Sequence, residues 1–170
     1  MSNSARSSAT EAPNATPLRR SHGPSKHPSP ATVRVALVRR RPRLAPEPIS
    51  GSADIFRIIG SAAQAWDREH FLSAILDGKG RLIDIDEISV GSLTASIVHP
   101  REVFKPIILA NGAAWIGIHN HPSGDPTPSD EDIALTQRLK RAGDLLGIQM
   151  LDHVIIGHGH YLSMVDSSLF

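Results

Sequence analysis

His119-Asn-His-Pro-Ser-Gly-Asp-Pro-Thr-Pro-Ser-Asp-Glu-Asp132 is the stretch on which the reading of this chain turns. It follows Ala114–Ile118, a short apolar run of the kind that forms a buried strand. In a strand, residues two apart point to the same face, so His119 and His121 offer two imidazoles to one point in space. Pro122, Pro126 and Pro128 stiffen the loop that follows. Ser129 then opens a helix with Ile133, Ala134, Leu139, Leu145 and Leu146 among its apolar positions, ended by Gly147. The first turn of that helix carries Asp132. One reading of Ser129-x-x-Asp132 is a capping box, with Asp in place of the usual Glu. The other is a carboxylate brought back to the two histidines as a third metal ligand. Two His and one Asp form a nitrogen and oxygen set that suits Zn²⁺ with one position open to water, whose pKa zinc lowers toward ~7. Such a set belongs to a hydrolytic site and not to a structural one.

The flanking segments predict an α/β domain. Ser52 caps a helix through about Trp66, with Ile55, Ile58, Ile59 and Ala62 on one face. His70–Leu76 and Arg81–Ile88 surround Asp77-Gly-Lys-Gly80 and read as a β-hairpin. Leu93–Val98 reads as a further strand. His99-Pro100-Arg101-Glu102 opens a helix, whose length Pro106 puts in question. Ile148–Ile156 and Tyr161–Val165 read as closing strands around Gly157-His-Gly-His160. Strands mixed with helices over this length imply a mixed central sheet flanked by helices.

Composition narrows the chemistry. The chain of 170 residues has no cysteine, which excludes disulfides, thiolate zinc sites, iron–sulfur clusters and a thiol nucleophile. No apolar run is long enough to span a bilayer, and the first residues have no apolar core of a secretory signal, so the expected location is cytoplasmic. The net charge of +1 averages two unlike parts. Residues 1–45 hold nine basic residues and one acid, a net of +8, whereas residues 46–170 carry −7. Residues 1–50 hold eight of the thirteen prolines and few large apolar side chains. Residues 1–50 are therefore expected to be a disordered basic tail and residues 51–170 the folded domain. Basic residues 34–44 are either a solvated linker or a contact for a phosphate backbone or an acidic partner, so nucleic acid is a candidate partner.

His119-x-His121, seven residues, Ser129, two residues and Asp132 together match the JAMM motif, and the chain resembles the RadC branch of the JAB/MPN metalloprotease family. The resemblance is carried by His99-Pro-Arg-Glu-Val-Phe-Lys105, His119-Asn-His-Pro-Ser-Gly124, Pro128-Ser-Asp-Glu-Asp132 and Leu151-Asp-His-Val-Ile-Ile-Gly157, in that order, over about residues 65–165. It implies a cytidine-deaminase-like JAB/MPN fold, with Zn²⁺ held by His119, His121 and Asp132. It implies that Ser129 supports the attacking water or the oxyanion formed from it. It also implies a glutamate from an earlier segment as general acid/base. Glu69 lies in the segment where the family carries that residue and is preferred; Glu102 and Glu87 are the alternatives. Proteins of this type carry a helix–hairpin–helix-like region before the domain, linked to DNA binding and DNA repair. Here a basic segment and one helix stand in that place.

The expected activity is zinc-dependent hydrolysis of a peptide or isopeptide bond. A DNA-associated or protein-binding module and a metal-dependent nuclease are the other readings. Asp152-His153 either supports the metal ligands from behind or is structural, and a buried histidine bonded to a neighbour is the preferred reading. His158 and His160 could bind a metal, but read better as exposed imidazoles of a Gly-rich hairpin turn; Trp66 and Trp115 read as core or interface.

Overall fold

The computed structural model describes residues 48–91 and 98–170. Eight elements are present among them: α1 Ser52–Ala63, β1 His70–Leu76, β2 Leu82–Val90, α2 Pro100–Leu109, β3 Ala114–Asn120, α3 Asp130–Leu146, β4 Gln149–Ile156 and β5 Tyr161–Ser163. The strands form one sheet in the order β2-β1-β3-β4-β5. Only β3 and β4 run parallel; the other neighbours are antiparallel. This is the mixed α/β sheet expected of the sequence. The tail residues 1–47 and most of the expected strand Leu93–Val98 lie outside the described residues. Among the described residues no helix is long and apolar enough to cross a membrane.

Alternation along β1 sorts the core into two layers. Phe71 and Ile75 face a cluster with Val103, Phe104 and Ile107 of α2 and Leu135 and Leu139 of α3. Leu72, Ala74 and Leu76 face the opposite cluster, which includes Ile55 of α1 and Val154 and Ile156 of β4. The sheet is thus sandwiched between α1 on one side and α2 with α3 on the other. Trp115 is fully buried on the α2/α3 side, with its ring edge-on to Phe104 at 5.6 Å between centroids. The same period of two carries that side of β3 from Trp115 through Gly117 to His119. A Cβ at Gly117 would lie 3.1 Å from the His153 ring and 2.9 Å from Met150, so only glycine lets that ring lie against the strand.

The β1–β2 hairpin forms as expected, and Asp77 is its organiser. Its Oδ1 accepts from the Lys79 and Arg81 amides at 2.9 and 3.0 Å, and its Oδ2 from Arg81 Nε at 2.9 Å. Gly80, at φ 72°, supplies the left-handed residue of the turn.

Several boundaries differ from the sequence reading. Gly51, not Ser52, is the N-cap of α1. No side chain caps the helix; Asp54 in its first turn instead holds the preceding residue, its Oδ2 accepting from the Ser50 amide at 2.8 Å and the Ser50 hydroxyl at 2.6 Å. The helix ends at Ala63, before Trp66, which instead stacks on His70 with centroids 4.2 Å apart. In α2 the helix runs through Pro106, forfeiting one backbone bond. Burial of Val103, Phe104 and Ile107 offsets that loss. Leu145 and Leu146 are exposed, not core, because the buried stripe of α3 runs through Asp132, Leu135, Thr136, Leu139 and Gly143.

Candidate metal centre

The carboxyl end of β3 and the N-terminus of α3 meet at one corner of the sheet. Chain ends of parallel strands are where α/β sheets place their sites, because loops diverge there and helix N-termini face inward. Here β3 contributes His119 and the residue after it contributes His121. The proline-stiffened loop contributes the return path and α3 contributes Asp132. One ligand atom from each of the three lies within 4.8 Å of the other two.

The geometry of that trio fits a small tetrahedral cation. The two Nε2 atoms are 2.9 Å apart, and Asp132 oxygens lie 3.4 Å from His119 Nε2 and 3.5 Å from His121 Nε2. An ion bound tetrahedrally at about 2.0–2.1 Å spaces its ligand atoms about 3.3 Å from one another. The ring partners also set the protonation that a ligand needs. His121 Nδ1 lies 2.7 Å from the Asp125 carbonyl, which only accepts, so Nδ1 carries the hydrogen and Nε2 turns its lone pair to the cluster.

His119 is held by a longer chain. Its Nδ1 is 2.8 Å from His153 Nε2; His153 Nδ1 is 2.5 Å from Thr136 Oγ1; and Thr136 Oγ1 donates to the Asp132 carbonyl at 2.7 Å. With His119 Nε2 as the ligand atom, every donor in this series has one acceptor. His119 Nδ1–H gives to His153, His153 Nδ1–H gives to Thr136, and Thr136 gives to the backbone of the residue that supplies the third ligand. Partners of this kind fix ring orientation and raise ligand basicity. The buried histidine expected at position 153 is therefore present and tied to the site. Thr136 went unread in the sequence; its only trace there is a polar residue four positions after Asp132, on the same face of an otherwise apolar stripe.

Electrostatics follow from burial and charge. Burial pushes His119 well below the ordinary imidazole value, with the neighbouring His153 adding to it. Burial likewise lowers His153 to about 4, so the ring is neutral at neutral pH, as the relay requires. Without an ion, His121 is raised, first by its hydrogen bond with Asp132, which favours a second hydrogen on Nε2 where a bound ion would otherwise take the lone pair. Burial would raise Asp132, but His121, His119 and Ser129 together hold it far below the usual carboxylate range.

Both readings of Ser129-x-x-Asp132 hold at once. Ser129 Oγ accepts from the Asp132 amide at 3.1 Å while Asp132 Oδ2 accepts from the Ser129 amide at 2.8 Å, a complete capping box. Ser129 Oγ also donates to Asp132 Oδ2 at 2.7 Å. The helix cap is thus the device that aims the carboxylate.

The three glutamates separate by position. Glu69 immediately precedes β1, is half-buried, and its negative charge contributes to raising His121. Glu87, on β2, bonds His70 Nδ1 at 2.8 Å. Glu102, on α2, pairs with Arg101 at 2.9 Å and shares a surface hollow with Glu87 and Lys105. His158 and His160 are exposed, and neither belongs to a ligand cluster among the described residues.

An α/β sheet whose central strand leads two histidines to a capped helix carrying an aspartate defines a domain with a cluster that could hold a metal ion. The family model of the RadC-like JAB domain matches residues 49–169, and the chain belongs to that family. A UPF0758 protein of Geotalea uraniireducens is 58% identical over 102 residues, covering 60% of this chain and 45% of its own length. One from Pelobacter propionicus is 60% identical over 99 residues, 58% of this chain and 43% of its own. One from Methanosarcina mazei is 45% identical over 133 residues, 76% of this chain and 58% of its own. The chain thus spans about half the length of the curated relatives it matches.

Proposed function

We propose that this chain is a zinc-dependent hydrolase of amide bonds, a metallopeptidase or isopeptidase. The observation that carries the reading is the spacing of the His119, His121 and Asp132 ligand atoms, which fits a tetrahedral ion. A two-nitrogen, one-oxygen set with three protein ligands is the pattern of catalytic and not structural zinc.

A Zn²⁺ held there supplies Lewis acidity and a water acidic enough to ionise near neutral pH. The protein's own groups do the rest. His119 and His121 present neutral nitrogens, and their far ring atoms are locked by His153 and Asp125. Glu69 takes the proton released as the amide carbonyl is attacked and returns it to the departing amine. Ser129 holds Asp132 and offers a neutral hydroxyl that can turn toward the developing oxyanion. The low position of His119 and His153 keeps both of those rings uncharged.

The test is metal content and turnover of the purified full chain. The expected result is about one zinc per chain and cleavage of a mixed peptide and isopeptide library that Glu69→Gln abolishes with zinc retained. Zinc far below one equivalent, or cleavage unaffected by Glu69→Gln, refutes the reading. A nuclease would instead cut DNA or RNA in the same assay with the same dependence on His119.

A further inference from the structure

We infer that Asn120, the residue between the two metal-ligand histidines, is the positioning residue that holds Glu69 at the metal corner. The β1–β3 ladder stops at Phe71 opposite His119. Beyond it the backbone of residues 68–70 has no strand partner on that side, yet it carries Glu69. Asn120 fills the gap with its side chain. Its Oδ1 accepts from the His70 amide at 2.8 Å, and its Nδ2 donates to the Arg68 carbonyl at 2.9 Å. The two bonds bracket Glu69, one on the residue before it and one on the residue after. On the far side the Gly91 amide donates to the Glu69 carbonyl at 2.8 Å. The Asn120 carboxamide thereby ties the backbone around Glu69 to the end of β3, beside His119 and His121.

The chemistry of the side chain explains the residue. The bracket needs one acceptor and one donor about a peptide unit apart, at a position 1% exposed. Asn supplies both; Asp lacks the donor, Ser is too short to reach both, and Ala removes the partner of the Arg68 carbonyl and of the His70 amide at a partly buried place. Because Asn120 touches neither ligand nitrogen, it acts through Glu69 and not through the metal.

The inference rests on Glu69 being the proton carrier of the proposed hydrolase, and the experiment separates the two. The full chain is loaded with Co²⁺, whose visible spectrum reports on groups around its open position. Wild type is compared with Asn120→Ala, Asn120→Asp, Glu69→Gln and the Asn120→Ala/Glu69→Gln pair. Both single changes at 120 are expected to alter the spectrum in the direction of Glu69→Gln, with Co²⁺ affinity within about threefold of wild type. Asn120→Ala is expected to add nothing once Glu69 is Gln, the mark of one residue acting through another. Additive spectral changes, an unaltered Asn120→Ala spectrum, or a tenfold loss of affinity overturns the role of Asn120 while leaving that of Glu69 intact. An unaltered Glu69→Gln spectrum removes the proton carrier itself and the inference with it. Amide exchange on the wild-type protein needs no variant to fold. The His70 amide, outside the β1–β3 ladder, is expected to be protected at least about a hundredfold over the unfolded chain. Unprotected exchange there refutes the bracket.

Discussion

The chain contains two His-x-His sequences, His119-x-His121 and His158-x-His160, and the fold makes them different objects. The first ends a buried strand, and each ring is fixed at its far nitrogen, by His153 in one case and by the Asp125 carbonyl in the other. The second lies in the turn between β4 and β5, where His160 Nδ1 bonds only the His158 carbonyl at 2.7 Å and both rings are exposed. In the strand, pleating aligns the two rings and the capped helix brings a carboxylate to them. In the turn, Gly159 at φ 76° bends the backbone between the rings, and among the described residues they belong to no group of three possible ligands. Spacing alone is therefore a weak indicator; the secondary structure beneath it and the third group opposite decide whether two histidines can share an ion.

The largest expected effect tests that contrast directly. His119→Ala should lower zinc affinity at least about a thousandfold, whereas His158→Ala and His160→Ala should leave it within twofold. Chelator competition and elemental analysis measure both, and equal losses at the two pairs would break the distinction.

Next in size is pH. In the metal-free protein, burial lowers His153 from 6.5 to about 4. As pH falls past 6.5, the unfolded chain takes up a proton there that the folded chain refuses until about 4. The unfolded state is then the one that binds more protons, so stability that is complete above 6.5 is lost as pH falls through this window. The loss from this ring reaches about 3 kcal/mol. Urea unfolding of metal-free protein at pH 7 and pH 4.5 reads it, and His153→Gln should flatten the slope. A slope unchanged by that substitution would show that the buried relay is not what separates this histidine group from the exposed pair.

A smaller effect is expected on the ion itself. Thr136→Val cuts the relay at its last step without touching a ligand, and should weaken zinc binding about 10- to 100-fold. Titration against a competing chelator reads that loss, and wild-type affinity would reduce the relay to packing. Smallest is Ser129→Ala, which removes one half of the capping box. Loss of an N-cap of this kind costs about 1 kcal/mol of stability, measured as a shift in the denaturation midpoint, with zinc retained but bound more weakly.

Much of the site was legible because local physics wrote it. Strand alternation paired His119 with His121, and the helix start at Ser129 placed Asp132 one turn in. The Asp77–Gly80 turn announced the hairpin through residues suited to it. What escaped did so for one reason: it depended on contacts between distant parts of the chain. Thr136 looks like an ordinary helical threonine until His153, seventeen residues on, lies against it. Leu145 and Leu146 look like core until the helix's buried face is known. Pro106 looks like a terminator until the packing of Phe104 and Ile107 holds the helix through it.

Residue spacing and turn chemistry thus determined which side chains could form a metal site, because one period of strand and one turn of helix are short-range geometry. Tertiary structure alone decided that the N-terminus of α3 meets the end of β3. It also decided that His153 and Thr136 lock the His119 ring, and that Asn120 ties Glu69 to the strand bearing the ligands. Those outcomes depend on which strands pair and which helix faces are buried, and packing selects both only when the whole sheet has formed.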